Sequence, residues 1–141
     1  MSQQKLTSAS GEVVKGGGIV LKQEDGKSYV LLIYRGNHKD WSFPKGHAES
    51  DESSIETVVR EIKEECGIET EITRELPPNK YFNTKTNEET VTHMYLLKPK
   101  SFKLRQEHGG DKVEWVPIDE VKDRLTYENL KNYFTSVKSE I

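Results

Sequence analysis

Strand-like and helix-like hydrophobic spacings follow one another along the chain, separated by short polar breaks. Glu12 to Lys22 reads as a strand, and the run Gly16-Gly17-Gly18 inside it either marks a bulge or admits close approach by another backbone or a ligand. Glu24-Asp25-Gly26-Lys27 has the chemistry of a hairpin turn, and Ser28 to Arg35 is a second, strongly β-prone strand. Trp41-Ser42-Phe43-Pro44 is a short extended piece whose aromatics are expected to plug the core rather than stack on a base. Later, Thr70 to Leu76 alternates as a strand, Pro77-Pro78-Asn79 breaks it, and Tyr81-Phe82 starts another extended run. After a polar loop from Asn83 to Glu89, Thr90 to Lys98 is a strand with Val91, His93, Tyr95 and Leu97 against Thr92, Met94 and Leu96. One of those faces is expected to line a cleft. Pro99 to Lys112 is irregular, Val113 to Pro117 is the last strand, and Ile118-Asp119-Glu120 opens a helix bearing Val121 and Leu125. Thr126 to Glu140 is a second helical segment, with Tyr127, Leu130, Phe134 and Val137 at helix spacing and read as core.

Between these strands, Gly46 to Ile68 reads as a loop, a helix and a glycine stop. Ser50, Asp51, Ser53 and Ser54 offer oxygens for the helix start, and Gly67 supplies the backbone that closes it. At about 100° per residue, Val59, Ile62 and Cys66 fall within about 40° of Ile55, with Val58 about 60° away. Glu61, Glu64 and Glu65 lie off this stripe. An exposed helix usually places Lys four residues after Glu, yet Glu61 is followed at that spacing by Glu65, and Lys63 points elsewhere. Like charges held together favour a cation, and hard divalent ions such as Mg²⁺ take carboxylate and carbonyl oxygens and complete their shell with substrate phosphates. Such an ion lowers the pKa of a bound water, and Glu61 or a neighbouring carboxylate can take the proton.

The chain's 141 residues suit one domain, with 1–11 expected as a frayed leader and 12–141 as the domain. A formal charge of −3 argues against extended nucleic acid as partner, and no stretch has the apolar length of a membrane span. The leader lacks the apolar core of a secretion signal, and the single cysteine, Cys66, sits on the apolar stripe as a buried thiol. A cytoplasmic protein acting on a small molecule is expected.

Gly46 to Ile68 also resembles the Nudix box, Gly-x5-Glu-x7-Arg-Glu-U-x-Glu-Glu-x-Gly-U, with U bulky and apolar. Gly46, Glu52, Arg60, Glu61, Ile62, Glu64, Glu65, Gly67 and Ile68 fill every specified position. The resemblance implies an α/β (α+β) fold, an α/β/α sandwich in which a loop-helix-loop and a C-terminal helix pack on a mixed sheet. It implies hydrolysis of a nucleoside diphosphate linked to another moiety, with Mg²⁺ or Mn²⁺ held by the box glutamates. Glu64 and Glu65 are then metal ligands, Glu61 a further ligand or the base, and the carbonyl near Lys45 or Gly46 another ligand. Arg60 is similar to the family arginine that pairs with Glu52, a structural role. The family's glycine-bearing strand lies beside the substrate. A late-loop carboxylate is expected at Glu107, with Asp111 and Glu114 as alternatives.

Trp41 to His47, the Glu107-His108 pair and Leu125 to Leu130 are similar to diadenosine tetraphosphate hydrolases. That likeness implies asymmetric cleavage to ATP and AMP, with Lys45 and His47 on phosphates and Tyr81 or Tyr127 stacked on adenine. Arg35 and Lys39 are weaker phosphate candidates, and His93 and Tyr95 are candidates for phosphate or ribose. The rivals are pyrophosphohydrolysis of ADP-ribose, a modified dNTP or a capped RNA end, and a nucleotide-sensing module without turnover.

Overall fold

A computed structural model describes residues 13–49 and 51–141; the expected leader, the strand start at Glu12 and the cap candidate Ser50 lie outside them. β1 (Val13–Glu24) turns through Asp25 and Gly26 into β2 (Lys27–Arg35). Both turn residues have positive φ, 53° and 77°, as a two-residue type I′ hairpin needs, and Glu24 pairs with Lys27 across it. β3 (Asp40–Ser42), β4 (Lys45–His47), α1 (Ser54–Cys66), β5 (Thr70–Asn83), β6 (Glu88–Pro99) and β7 (Lys112–Pro117) follow. A 3₁₀ turn at Ile118–Glu120 leads to the one-turn helix α2 (Val121–Arg124), and α3 (Glu128–Val137) runs into a second 3₁₀ turn, Lys138–Glu140.

The strands form a mixed sheet in the order β3-β2-β1-β6-β5, with β4 added to β1 and β7 to β2. β1 and β6 run parallel, and the other pairs are antiparallel. Period-two alternation deals the apolar side chains into two layers. Ile19, Val30, Leu32 and Leu96 pack with Leu125 and with Leu130, Phe134 and Val137 of α3. Val20, Leu31, Tyr95 and Leu97 pack with Val58, Ile62 and Cys66 of α1. The fold is therefore the expected α/β/α sandwich, and each fully buried Val, Leu or Ile contributes about 1.5–3 kcal/mol to it.

β1 and β6 pair without interruption from Val13↔Thr90 to Val20↔Leu97, so the glycine run is not a bulge. A Cβ on Gly16 would lie 2.8 Å from the Ser54 carbonyl, and one on Gly18 would overlap Leu97 and lie 3.1 Å from Val58. These two glycines seat α1 close against β1, while Gly17 faces the other way, against Thr92, Lys45 and Met94. Gly18→Ala is expected to cost about 1–3 kcal/mol through overpacking. A lowered urea midpoint with unchanged slope would register it; an unmoved midpoint would show that the helix does not need bare backbone beneath it.

Docking on those glycines also turns the helix relative to the expected stripe. Thr57, Val58, Ile62 and Cys66 are buried and Val59 packs at the margin, but Ile55 is 45 % exposed. Pro77-Pro78 does not end a strand. β5 is the sheet's edge, and a register shift between Leu76 and Asn79 absorbs both prolines, which an edge strand tolerates because its outward N–H groups need no partner. α3 starts at Glu128 rather than Thr126, leaving Tyr127 off the core stripe and 42 % exposed. Cys66 is fully buried, and burial pushes its thiol pKa upward.

Candidate active site

The loop from β4 to α1 is fixed by side-chain oxygens. Ser53 caps α1 by accepting the Glu56 N–H, Glu56 returns the bond to the Ser53 N–H, and Gly67 ends the helix at φ 80°. Arg60 then ties loop to helix. Its Nε and Nη2 donate to Glu52 at 2.6 and 3.0 Å, and Nη2 also reaches the His47 carbonyl at 3.2 Å. Glu52 accepts further bonds from Thr57 Oγ1 and the Glu49 N–H. The Arg60 guanidinium holds the Glu52 carboxyl down to about 2. A depressed acid stabilises the fold above its unfolded pKa and loses that contribution as pH falls. Glu52→Gln is therefore expected to cost about 2 kcal/mol at pH 7, and the deficit should shrink as pH drops from about 4.5 toward about 2. Melts at several pH values read this; a deficit independent of pH would mean that Glu52 acts by packing.

Arg60 does more than its expected structural part, because its Nη1 lies 3.1 Å from both Glu61 Oε2 and Glu64 Oε1. The acids are thus not left wholly to repel one another. Glu64 is half exposed and drawn to Arg60, and among the described residues no three His, Cys, Asp or Glu side chains already converge into a closed metal-binding group. Glu65 is relieved least: Lys45 attracts it and it shares a hydrogen bond with Glu61, but its Oε1 is buried with no hydrogen-bond partner. Burial, then the adjacent Glu61 charge, pushes the Glu65 carboxyl up to about 8, and burial also raises Glu61. Gly46 matters sterically, since a Cβ there would overlap the Glu61 carboxylate. An orphaned buried carboxylate oxygen beside Glu61, in a cleft that the Gly46 backbone also borders, offers the hard oxygens that a divalent cation takes.

Glu61 and Glu65, but not Glu64, border a cleft of about 620 Å³ that also takes in Lys15, Arg35, Lys45 and His47. A second chamber of about 490 Å³ adjoins it and is lined by Asn79, Tyr81, Thr92, Met94, Tyr127 and Asn129 among others. Lys15, Arg35 and Lys45 border both, so a strip of cations separates the carboxylates from the aromatic chamber. Burial first, then Arg35 and Lys15, lowers Lys45 to about 8, and burial also lowers Lys15 and His47. An anion would relieve this repulsion. Arg35 is held by Asp40, which is fully buried and takes its Nε and Nη2 at 2.9 and 2.6 Å and the Tyr127 hydroxyl at 2.7 Å.

The expected site residues divide accordingly. Lys45, Gly46, His47, Arg60, Glu61 and Glu65 meet in the cleft, and Tyr81 and Tyr127 line the chamber. His93 and Tyr95 do not reach either space: they occupy the α1 face of β6, where Tyr95 is 5 % exposed and bonds Ser54 Oγ. The face of β6 at the chamber is that of Thr92 and Met94. Glu107 stands on the irregular loop, near enough that its charge adds to the rise of Glu65. Its alternatives are engaged elsewhere, Asp111 with the Gly36 N–H at 2.9 Å and Glu114 with Arg124 at 2.8 Å. Lys15 escaped the sequence reading; its signal was alternation, which puts it on the same face of β1 as Gly17. Asn79 and Asn129 carried no signal, because each is the other's partner 50 residues away; Asp40 lies five residues from Arg35, but nothing in the polar loop marked it as buried.

An α/β/α sandwich carrying an acid-rich loop-helix-loop beside a cationic cleft defines a class of nucleotide-phosphate domain. The chain belongs to the NUDIX domain family, whose sequence model matches residues 14–136. It is 32 % identical over 120 residues to the putative mutator protein MutT4 of Mycobacterium tuberculosis, covering 79 % of this chain and 48 % of that protein. The chain thus spans about half the length of that relative. In structure it is similar to a Caenorhabditis elegans Ap4A hydrolase in a binary complex, with TM-score 0.74, 19 % identity and coverage of 91 % of this chain and 98 % of that one. The NUDIX domain of Shewanella oneidensis NrtR complexed with ADP ribose is similar as well, with TM-score 0.73, 19 % identity and coverage of 92 % and 88 %. At that identity the two likenesses show the fold alone. No helix among the described residues is long and apolar enough to cross a membrane.

Proposed function

We propose that this chain hydrolyses a phosphoanhydride bond in a nucleoside polyphosphate, and that its substrate is diadenosine tetraphosphate, split asymmetrically to ATP and AMP. The observation that carries this reading is the Lys15, Arg35 and Lys45 strip bordering both the acid cleft and the aromatic chamber. A polyphosphate laid across the strip brings a phosphorus to the carboxylates while the base enters the chamber. Tyr127 is 42 % exposed there with its hydroxyl fixed by Asp40, which suits a ring for stacking, and Tyr81 faces the same space.

Nudix hydrolases generally use divalent metal ions, and Glu61, Glu64, Glu65 and the Gly46 carbonyl are the groups that would hold Mg²⁺ or Mn²⁺ here. Such an ion neutralises phosphate charge and acidifies water. Glu61, in the space that Gly46 leaves, accepts the proton as water attacks phosphorus and the anhydride P–O bond breaks. Lys45 and His47 bind the phosphates and hold the chain of phosphorus atoms in line. Glu107 adds a negative charge from the loop after β6. Incubation with Mg²⁺ and a panel of nucleotides, with products resolved by chromatography, tests this. ATP and AMP in equal amounts from diadenosine tetraphosphate are expected. Preference for ADP-ribose, an oxidised dNTP or a capped RNA end would overturn the substrate, and no cleavage of any panel member would overturn the hydrolase.

A further inference from the structure

The segment bearing Glu107 has no helix or strand from residue 100 to 111, yet its first half is tied at several points. The Lys100 N–H donates to the Glu69 carbonyl and the Arg105 N–H to the Cys66 carbonyl, each at 2.9 Å, and Trp115 Nε1 donates to the Phe102 carbonyl. Past Arg105 the tie is of another kind. Asp111 Oδ1 accepts the Gly36 N–H at 2.9 Å, just beyond the point where the β2–β7 ladder ends with Tyr34 opposite Lys112. The Asp111 side chain therefore continues the ladder in place of a carbonyl. Gly110 lies flat on Gly36, where a Cβ would overlap the Gly110 carbonyl, and the Asp111 N–H closes the turn on the His108 carbonyl at 3.0 Å.

Gly36 opens the turn that follows Arg35, whose carbonyl takes the His38 and Lys39 N–H groups at 3.1 and 2.7 Å. The Glu107 turn is thus fastened to the backbone that carries the phosphate-facing Arg35. Gly109 has nothing within 4 Å of where a Cβ would sit, so no neighbour braces the turn at that point.

We propose that Asp111 is a positioning residue: by accepting the Gly36 N–H it docks the 107–111 turn on the Arg35 turn and so sets how far the Glu107 carboxylate reaches toward Glu65. This rests on Glu107 being the late acid of the proposed hydrolase. Asp111 acts as an acceptor, not as an anion, and that distinction is testable because Asn keeps the acceptor and loses the charge. Rates are read on the panel nucleotide cleaved fastest with Mg²⁺, and amide exchange is followed at Gly36 and across 105–112.

Asp111→Ala should lower kcat by about tenfold, the scale seen when a group supporting a catalytic residue is lost, with KM nearly unchanged and faster exchange at Gly36. Asp111→Asn should restore both kcat and protection. An Asp111→Asn variant as slow as Asp111→Ala overturns the proposal, since charge would then be what matters. Asp111→Ala at the parent kcat beside a slow Glu107→Gln overturns the Asp111 assignment alone. Glu107→Gln at the parent kcat overturns the late-acid reading, and the consequence drawn for Asp111 falls with it.

Discussion

In the Glu65→Gln variant, turnover by the proposed hydrolase is expected to fall by at least about 10²-fold, because the group proposed to hold the metal is lost, while the fold survives. Gln keeps the shape of Glu65 and removes its charge. The Glu65 Oε1 is buried without a hydrogen-bond partner, so the charged form is disfavoured in the metal-free fold despite Lys45 nearby. Its folded pKa is raised to about 8 by burial and the Glu61 charge, against 4.5 for an ordinary Glu. A raised group binds its proton more tightly when folded, so its contribution is fully present below about 4.5 and is lost as pH rises toward about 8. Metal-free wild type should therefore lose stability across that window relative to Glu65→Gln, whose slope in this window is smaller. Adding Mg²⁺ reverses the order: an ion that binds only the folded state raises the melting temperature of wild type, and Glu65→Gln should respond weakly. Steady-state rates and melts at pH 5, 7 and 9, with and without Mg²⁺, check both halves. Equal rates in the two proteins would remove Glu65 from the site, and equal pH slopes would remove the explanation from burial.

What could be seen in the sequence was what is decided locally. The serine-rich helix start around Ser53, the Asp25-Gly26 turn and the Gly67 stop each depend on a few adjacent residues, and the structure realises a helix and a hairpin there, with Glu56 completing the cap. The spacing of Glu61 and Glu65 likewise put two acids on one side of α1. What failed depended on partners elsewhere. Ile55 belongs to the helical stripe, but its burial is decided by how α1 settles on Gly16 and Gly18, which a helical wheel does not contain. Pro77 and Pro78 stop a strand only where both edges must pair, and nothing local says that β5 is the outermost strand. His93 and Tyr95 were correctly grouped on one face of β6. Because helices cover both sides of the sheet, alternation could not say which face met the chamber. The cationic strip is the clearest case: Lys15, Arg35 and Lys45 come from β1, β2 and β4 and meet through sheet register, Gly17 lying opposite Lys45.

Asp40→Ala should be among the most destabilising single substitutions, by about 3 kcal/mol, because it removes a buried acceptor of charge-assisted bonds, although the guanidinium and phenol left behind can still reach water. Asp40 has no exposure at all, whereas the Arg35 side chain is 34 % exposed and Tyr127 lies at the chamber mouth. Burial alone would raise the Asp40 pKa, but the bonds from Arg35 and Tyr127 outweigh it, and the carboxyl ends below the usual carboxylate range. Its stabilisation is accordingly present above the unfolded pKa of about 3.9 and lost as pH falls below it. Asp40→Asn separates charge from shape: the amide oxygen can still accept one bond, but the two-pronged ion pair is gone, so a loss of roughly half is expected. The same three residues join β2, β3 and the start of α3, so the damage should also reach binding. Arg35 borders both spaces and Tyr127 lines the chamber, so KM for the nucleotide should rise in Asp40→Asn more than kcat falls. Urea unfolding at pH 7 and pH 3, on either side of the unfolded pKa, together with steady-state kinetics checks each step. An Asp40→Ala midpoint matching wild type would mean that Arg35 is held by something other than this carboxylate. A selective loss of kcat in Asp40→Asn would mean that Arg35 acts on the transferring phosphorus rather than on binding.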